Sequence, residues 1–213
     1  KYGITLDQSI ATNYLNSSGN IIFNTSNPAS IGGFLEYNKD IAGIGRDDAS
    51  ELLQLQSKSE NDNSLLTVER VGNLANDNTW LIWGNDDGAI AETDLLTQPD
   101  TIESRIGRVW RISETNDAGN VSITFDLGEL GLTSKNANQL SLLVAPNNSN
   151  GNFSSATVIT NAVISSDEVT FSDVDLEDGQ YITLGTEYFL CSPGGVETDL
   201  YVWLRADKNT FNI

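Results

Sequence analysis

From residue 34 onward, apolar residues recur in short runs, and several runs alternate with polar residues at period two. Such alternation places the apolar side chains on one face of a strand. The pattern predicts strands over 34–46, 53–59, 65–71, 79–83, 105–114, 121–126, 139–145, 157–163, 168–174 and 181–187. Ile21-Ile22-Phe23 is a shorter candidate, and the polar stretch up to Ser18 reads as a connector. Asp48 onward has a second reading, a helical turn capped by Asp47 or Ser50. Turn chemistry separates the runs: Asn27-Pro28, Asn85-Asp86-Asp87-Gly88, a loop over 89–104 with Pro99, and Asn116-Asp117-Ala118-Gly119-Asn120. The last of these predicts a hairpin between 105–114 and 121–126. No helical pattern of any length competes. About a dozen short strands with regular turn signals predict an all-β chain folded as a β-sandwich.

Strand phase then assigns faces. Over 105–114, Ile106, Arg108, Trp110 and Ile112 share one face, and Arg105, Val109 and Arg111 the other. Arg108 therefore falls on a core face, where an unpaired charge is costly. The expected partner is Asp47 or Asp48, which follow Arg46 at the end of Ile41-Ala42-Gly43-Ile44-Gly45. That run supplies small residues where backbones approach closely. Arg46, Asp47, Asp48 and Arg108 are thus expected to form a structural staple of bidentate arginine–carboxylate pairs; the alternative is an anion site at Arg108. Trp80 is in phase with Ile82, and Leu81 with Trp83, which favours core packing over a sugar-stacking platform.

Charge and rare residues narrow the function. The 213-residue chain carries 11 basic and 30 acidic residues, a net charge of −19. Such a surface repels phosphate backbones and anionic lipid, which argues against nucleic-acid and membrane-surface binding. No apolar run approaches the roughly 20 residues of a membrane-spanning helix. Histidine is absent, which removes Ser-His-Asp and Cys-His catalysis and His-ligated zinc. Cys191 is the single cysteine, so no internal disulfide framework exists. Neighbouring carboxylates on a strand point to opposite faces, so Asp47-Asp48, Asp86-Asp87 and Glu177-Asp178 are not catalytic pairs by themselves. Calcium, with its taste for hard oxygen ligands, is the candidate cation. Asp86 and Asp87 are its better candidates; Asn147 and Asn150, in a loop without carboxylates, are the weaker ones, and an ordinary Asn/Gly turn is the favoured reading of that loop.

Ile41 to Ser50, Gln56-Ser57-Lys58-Ser59 and Arg105-Ile106-Gly107-Arg108-Val109-Trp110-Arg111 resemble a domain of unknown function. That domain recurs between laminin-G/concanavalin-like modules of very large, type IX secreted Bacteroidota surface adhesins, including those of gliding motility. On this resemblance, 1–8 is similar to the end of a preceding laminin-G-like module, 9–190 is the sandwich, and 191–213, with Trp203, is a linker and first strand of the next module. Members often carry an Asp-rich loop before the Phe-Ser of Phe153-Ser154, where this chain has Asn. Asp100-Thr101-Ile102 is similar to the O-glycosylation acceptor of exported Bacteroidota proteins, which makes Thr101 a candidate glycosylation site. The resemblance implies a non-catalytic, extracellular, cell-surface module whose partners are the neighbouring modules of its own chain. A carbohydrate-binding module is the alternative, and a glycoside hydrolase a third reading. Exposed aromatics on a concave face would favour glycan binding; buried tryptophans favour a spacer.

Overall fold

The computed structural model describes residues 13–24, 37–61, 64–93 and 97–187. In chain order the first strands are β1 (Asn13–Leu15), β2 (Ile21–Asn24), β3 (Lys39–Asp47), β4 (Leu52–Gln54), β5 (Gln56–Lys58) and β6 (Leu66–Glu69). Next come β7 (Thr79–Asn85), β8 (Glu92–Thr93), β9 (Ser104–Ile106), β10 (Trp110–Thr115) and β11 (Val121–Asp126). After a single helical turn, α1 (Leu127–Leu130), follow β12 (Leu140–Ala145), β13 (Thr157–Ile159), β14 (Val163–Ser165), β15 (Glu168–Val174) and β16 (Tyr181–Thr186). The chain is all-β and forms a sandwich of antiparallel sheets.

The larger sheet has nine strands, ordered β13-β12-β16-β10-β7-β3-β4, with β9 beside β16 and β8 beside β9. The smaller has five, ordered β14-β15-β11-β6-β5. Between them lies the main core, built from Trp83, Trp110, Ile44, Ile112, Leu142 and Leu184 on one side and Val68, Ile123, Phe125 and Phe171 on the other. A second apolar cluster covers the opposite face of the larger sheet: Ile41, Trp80, Ile82, Leu143 and Tyr181 pack under Phe23 of the β1–β2 hairpin, Tyr37 and Phe153. The middle of the larger sheet is therefore buried on both faces. Every residue of β7 is buried, as a strand without a solvent side must be.

The glycines of β3 follow from this double burial. Gly43 lies opposite Ile82 and Gly45 opposite Trp80. A Cβ on Gly45 would run into the Trp80 ring, and one on Gly43 would meet Ile82 Cγ1 at 2.8 Å. The small residues thus make room for large side chains on the neighbouring strand.

Most strand positions agree with the sequence pattern, but 105–114 is split into β9 and β10 and the expected loop over 89–104 contains β8; sheet membership does not follow from the pattern. Residues 53–59 are not one strand: β4 belongs to the larger sheet and β5 to the smaller, with Leu55 at the crossing. Residues 157–163 split in the same way into β13 and β14. The expected hairpin across Asn116 to Asn120 does not form, because β10 pairs with β7 and β16 while β11 pairs with β6 and β15. Five residues span about 16 Å when extended, enough to cross the roughly 10 Å between packed sheets, and buried Ala118 fills the crossing. The connector expected before Ser18 contains a strand, β1, paired with β2. The helical-turn reading after Asp47 holds: Asp48–Ser50 is a 3-10 turn capped by Asp47. The expected modules at 1–8 and 191–213 lie outside the described residues.

Replacing Gly45 with alanine should destabilise the fold by about 1–3 kcal/mol, the usual cost of forcing extra atoms into a packed core. Urea unfolding followed by tryptophan fluorescence reads this as a lower midpoint, and an unchanged midpoint would remove the proposed role of Gly45.

Candidate functional site

The residues singled out from the sequence fall at opposite ends of β3. Lys39 lies opposite Asn85, which in turn lies opposite Trp110, so Arg108 sits at the start of β3. Arg46 lies opposite Thr79, at the other end. The expected staple between Arg108 and Asp47 or Asp48 is therefore not formed: antiparallel register separates the partners by most of the length of β3. Each half finds a different partner.

At the far end, Arg46 grips Asp48 in a bidentate pair, Nε to Oδ1 at 2.8 Å and Nη2 to Oδ2 at 2.9 Å, while Nη1 donates to the carbonyls of Leu74 and Ala75. The Arg46 bonds hold the Asp48 carboxyl below its ordinary value. Asp47 turns inward and is buried. Its carboxylate accepts from the Ser17 hydroxyl at 2.7 Å, the Ser17 backbone N–H at 3.0 Å and the Ser50 N–H at 3.3 Å. The bond from the Ser17 hydroxyl leads the bonds that pull its pKa below the ordinary aspartate value, against the opposing effect of burial. Asp47 thus ties the turn of the β1–β2 hairpin to the larger sheet.

At the near end, β9 and β10 lie along the same edge of β16. Five steps of chain from Arg105 to Trp110 run beside three from Gly185 to Ile182, so the chain bulges between them. The Thr183 hydroxyl donates into this bulge, to the carbonyls of Ile106 and Arg108. The bulge turns Arg108 away from the core phase expected for it. Arg108 Nε donates to the Gly88 carbonyl at 3.0 Å, and its Nη atoms lie 3.7 Å from Asp40 and 3.5 Å from Asp87. Asp40, in the left-handed region at φ 46°, also accepts from Asn85 Nδ2 at 2.7 Å and Asn61 Nδ2 at 3.0 Å. Gly88 is required by closeness, since a Cβ there would sit 2.7 Å from the Gly107 carbonyl. Asp40, Asn85 and Asn61 carry no sequence signal for this role; only register and the bulge bring them to Arg108. The faces expected for the other residues are found: Ile106, Trp110 and Ile112 line the main core, and Val109 the second cluster.

Asp86 and Asp87 are both engaged by neighbouring groups. Asp86 Oδ1 is engaged by the N–H groups of Gly88 and Val109, and the Arg108 guanidinium stands beside Asp87. A calcium ion wants about six to eight oxygens, and among the described residues no group of three or more acidic, His or Cys side chains is placed to hold a metal. Asn147 and Asn150 belong to a turn in which Ser149 N–H donates to Pro146 and Asn152 N–H to Ser149, with Asn150 and Gly151 left-handed. Thr101 is exposed on the turn closed by Ile102 N–H to Pro99 O. Trp80, Trp83 and Trp110 are buried; Cys191 and Trp203 lie outside the described residues.

Residues 1–180 of the chain match a domain of unknown function, DUF8202. The chain belongs to the DUF8202 family. No curated protein and no solved structure matches it. Within this DUF8202 domain the two arginine motifs are thus two separate corners, one at each end of β3.

Two measurements check the corners. Arg108→Lys keeps the charge but cannot reach Gly88, Asp40 and Asp87 together, and should cost about 1–3 kcal/mol in chemical denaturation. For Asp47, whose folded pKa is depressed, the stabilisation is present above the unfolded value of about 4. It is lost as pH falls through the lower folded pKa, so the stability gap between wild type and Asp47→Asn at pH 7 should narrow steadily as the pH falls below about 4. A gap that persists unchanged into that acid range would refute the ionised Asp47 anchor.

Proposed function

We propose that this DUF8202 domain is a non-catalytic structural and adhesive repeat of a very large bacterial surface protein, working outside the cell and joined to neighbouring modules. The observation that carries the reading is the placement of the tryptophans. Trp80, Trp83 and Trp110 are 4%, 1% and 1% exposed, so none of them offers a ring to a sugar. The paired arginines support the same reading, because Arg46 and Arg108 engage loops of their own domain. A rigid spacer needs this kind of internal fastening. The acidic surface suits a module that must stay soluble while held beside many copies of its kind.

One observation favours a second reading, recognition of an extracellular glycan. The outer face of the five-stranded sheet forms an open groove of about 1140 Å³. Hydroxyls and amides line it, among them Ser122, Thr124, Thr170 and Gln56, and the turn at Ser50 and Glu51 overhangs it. Polar groups in such a groove can exchange hydrogen bonds with sugar hydroxyls, although no aromatic ring lines it.

A glycan array run beside thermal melting in calcium and in EDTA separates these readings. The spacer reading expects no glycan signal and one melting temperature in both buffers. A glycan hit abolished by Thr124→Trp in the groove would establish the second reading instead. A saturable rise in melting temperature with calcium would restore a cation site.

A further inference from the structure

Among the described residues Arg105 is the most completely buried arginine, at 5% exposure. Its Nη1 donates to the Ile106 carbonyl at 2.9 Å and its Nη2 to Thr97 Oγ1 at 3.1 Å, and the guanidinium stacks 4.8 Å from the centre of the Phe153 ring. Its Nε–H has no partner. No described carboxylate comes within the 4.0 Å of an ion pair. Asp86 exerts the nearest acidic influence, but one of its oxygens already serves two backbone N–H groups.

Two further orphaned groups surround the same loop. The Tyr37 side chain is completely buried and its hydroxyl is unpartnered. That hydroxyl would lie 3.4 Å from a Cβ on Gly151, two residues before Phe153, and its ring stacks 5.6 Å from Tyr181. Ser149 Oγ, in the same turn, is buried and also without a partner. Tyr37 feels both Arg105 and Arg111, and Arg111 donates only to the Asn24 carbonyl among the described residues. Hence the Arg105 guanidinium and three unsatisfied hydrogen-bond donors lie around residues 149–153.

The chemistry of these groups selects the ligand. Arg105 Nε–H can only donate, so it needs an acceptor. A neutral acceptor would fill the hydrogen bond and leave a buried charge uncompensated, at a cost of several kcal/mol. A cation is excluded by the buried guanidinium. A small anion satisfies both demands, taking charge-assisted bonds from the guanidinium and further bonds from the phenol and the serine hydroxyl.

We propose that Arg105, Tyr37 and Ser149 form a buried binding site for a small oxyanion, a carboxylate or a tetrahedral sulfate or phosphate group. The site is distinct from both arginine corners and independent of the spacer reading. It would add a ligand-dependent lock to the second apolar cluster, where the β1–β2 hairpin and the 149–153 turn meet the larger sheet.

The test is thermal melting of the whole chain with sodium acetate, sulfate or phosphate, titrated against chloride at constant ionic strength. One of the three should raise the melting temperature along a saturable curve, and which one does so assigns a carboxylate or a tetrahedral ligand. In Tyr37→Phe, which removes one hydroxyl and no bulk, the half-saturation concentration should rise about tenfold, the equivalent of one hydrogen bond to a charged group. In Arg105→Gln the saturable response should vanish; if that variant does not fold, Tyr37→Phe decides alone. The proposal is overturned by a rise linear in salt for all three anions, which is the general effect of excluded ions. It is equally overturned by a saturable rise that Tyr37→Phe leaves unchanged.

Discussion

The central strands of the larger sheet have no face left for water, and the rest of the architecture answers to that constraint. A strand buried on both sides cannot alternate apolar with polar residues. β7 reads Thr-Trp-Leu-Ile-Trp-Gly-Asn, with Leu81 and Trp83 turned to the main core and Trp80 and Ile82 to the second cluster. The two tryptophans are too large to be met by ordinary neighbours. β3 answers with Gly45 against Trp80, and the backbone near Tyr37 closes over Gly84, where a Cβ would strike the Tyr37 carbonyl. Bulk on one strand thus fixes smallness on the next.

Covering the second face falls to a small layer that has little stability of its own. A two-stranded hairpin of three and four residues cannot hold together in water unaided. β1 and β2 persist because Ile22 and Phe23 are buried on the larger sheet, and because Asp47 anchors their turn. Asn16 reinforces the turn, its Oδ1 accepting from the N–H groups of Ser18 and Asn20 while its Nδ2 reaches Asn78. Hydrophobic contact sets where the hairpin lies, and a charge-assisted anchor sets its register.

Much of this was legible in the chain before any coordinates. Period two marked most strands, the phase of Trp80 through Trp83 foretold their burial, and the phase of Ile106, Trp110 and Ile112 their face. Periodicity reports which side of a strand is apolar; it is silent on which sheet the strand joins. Sheet changes at Leu55 and across Ala118 were hidden for that reason. The staple failed on a related ground, because pairing Arg108 with Asp47 assumed a register that local sequence does not encode. A bulge of two residues then moved Arg108 to the sheet margin, leaving Arg105 as the buried cation. Left-handed Asp40, an ion-pair partner of Arg108, looks in sequence like any surface aspartate.

The arginines show what a strongly acidic chain does with scarce positive charge. Thirty carboxylates compete for eleven cations, so simple charge matching would predict ion pairs everywhere. Instead, all five described arginines donate to backbone carbonyls: Arg46 to Leu74 and Ala75, Arg70 to Asn120, Arg105 to Ile106, Arg108 to Gly88 and Arg111 to Asn24. Carbonyls in sheet-crossing loops have no ladder partner, and leaving one buried and unpaired costs about as much as a lost hydrogen bond. A guanidinium offers five donors in a rigid fork, so it can serve a carbonyl and a carboxylate at once. Exposed ion pairs add at most about 1 kcal/mol, and a bond to a loop carbonyl holds backbone that no ladder pairs. The arginine motifs are therefore better understood as fastenings for irregular backbone than as charge partners, and Arg105 stands apart because its fastening leaves a buried charge unanswered.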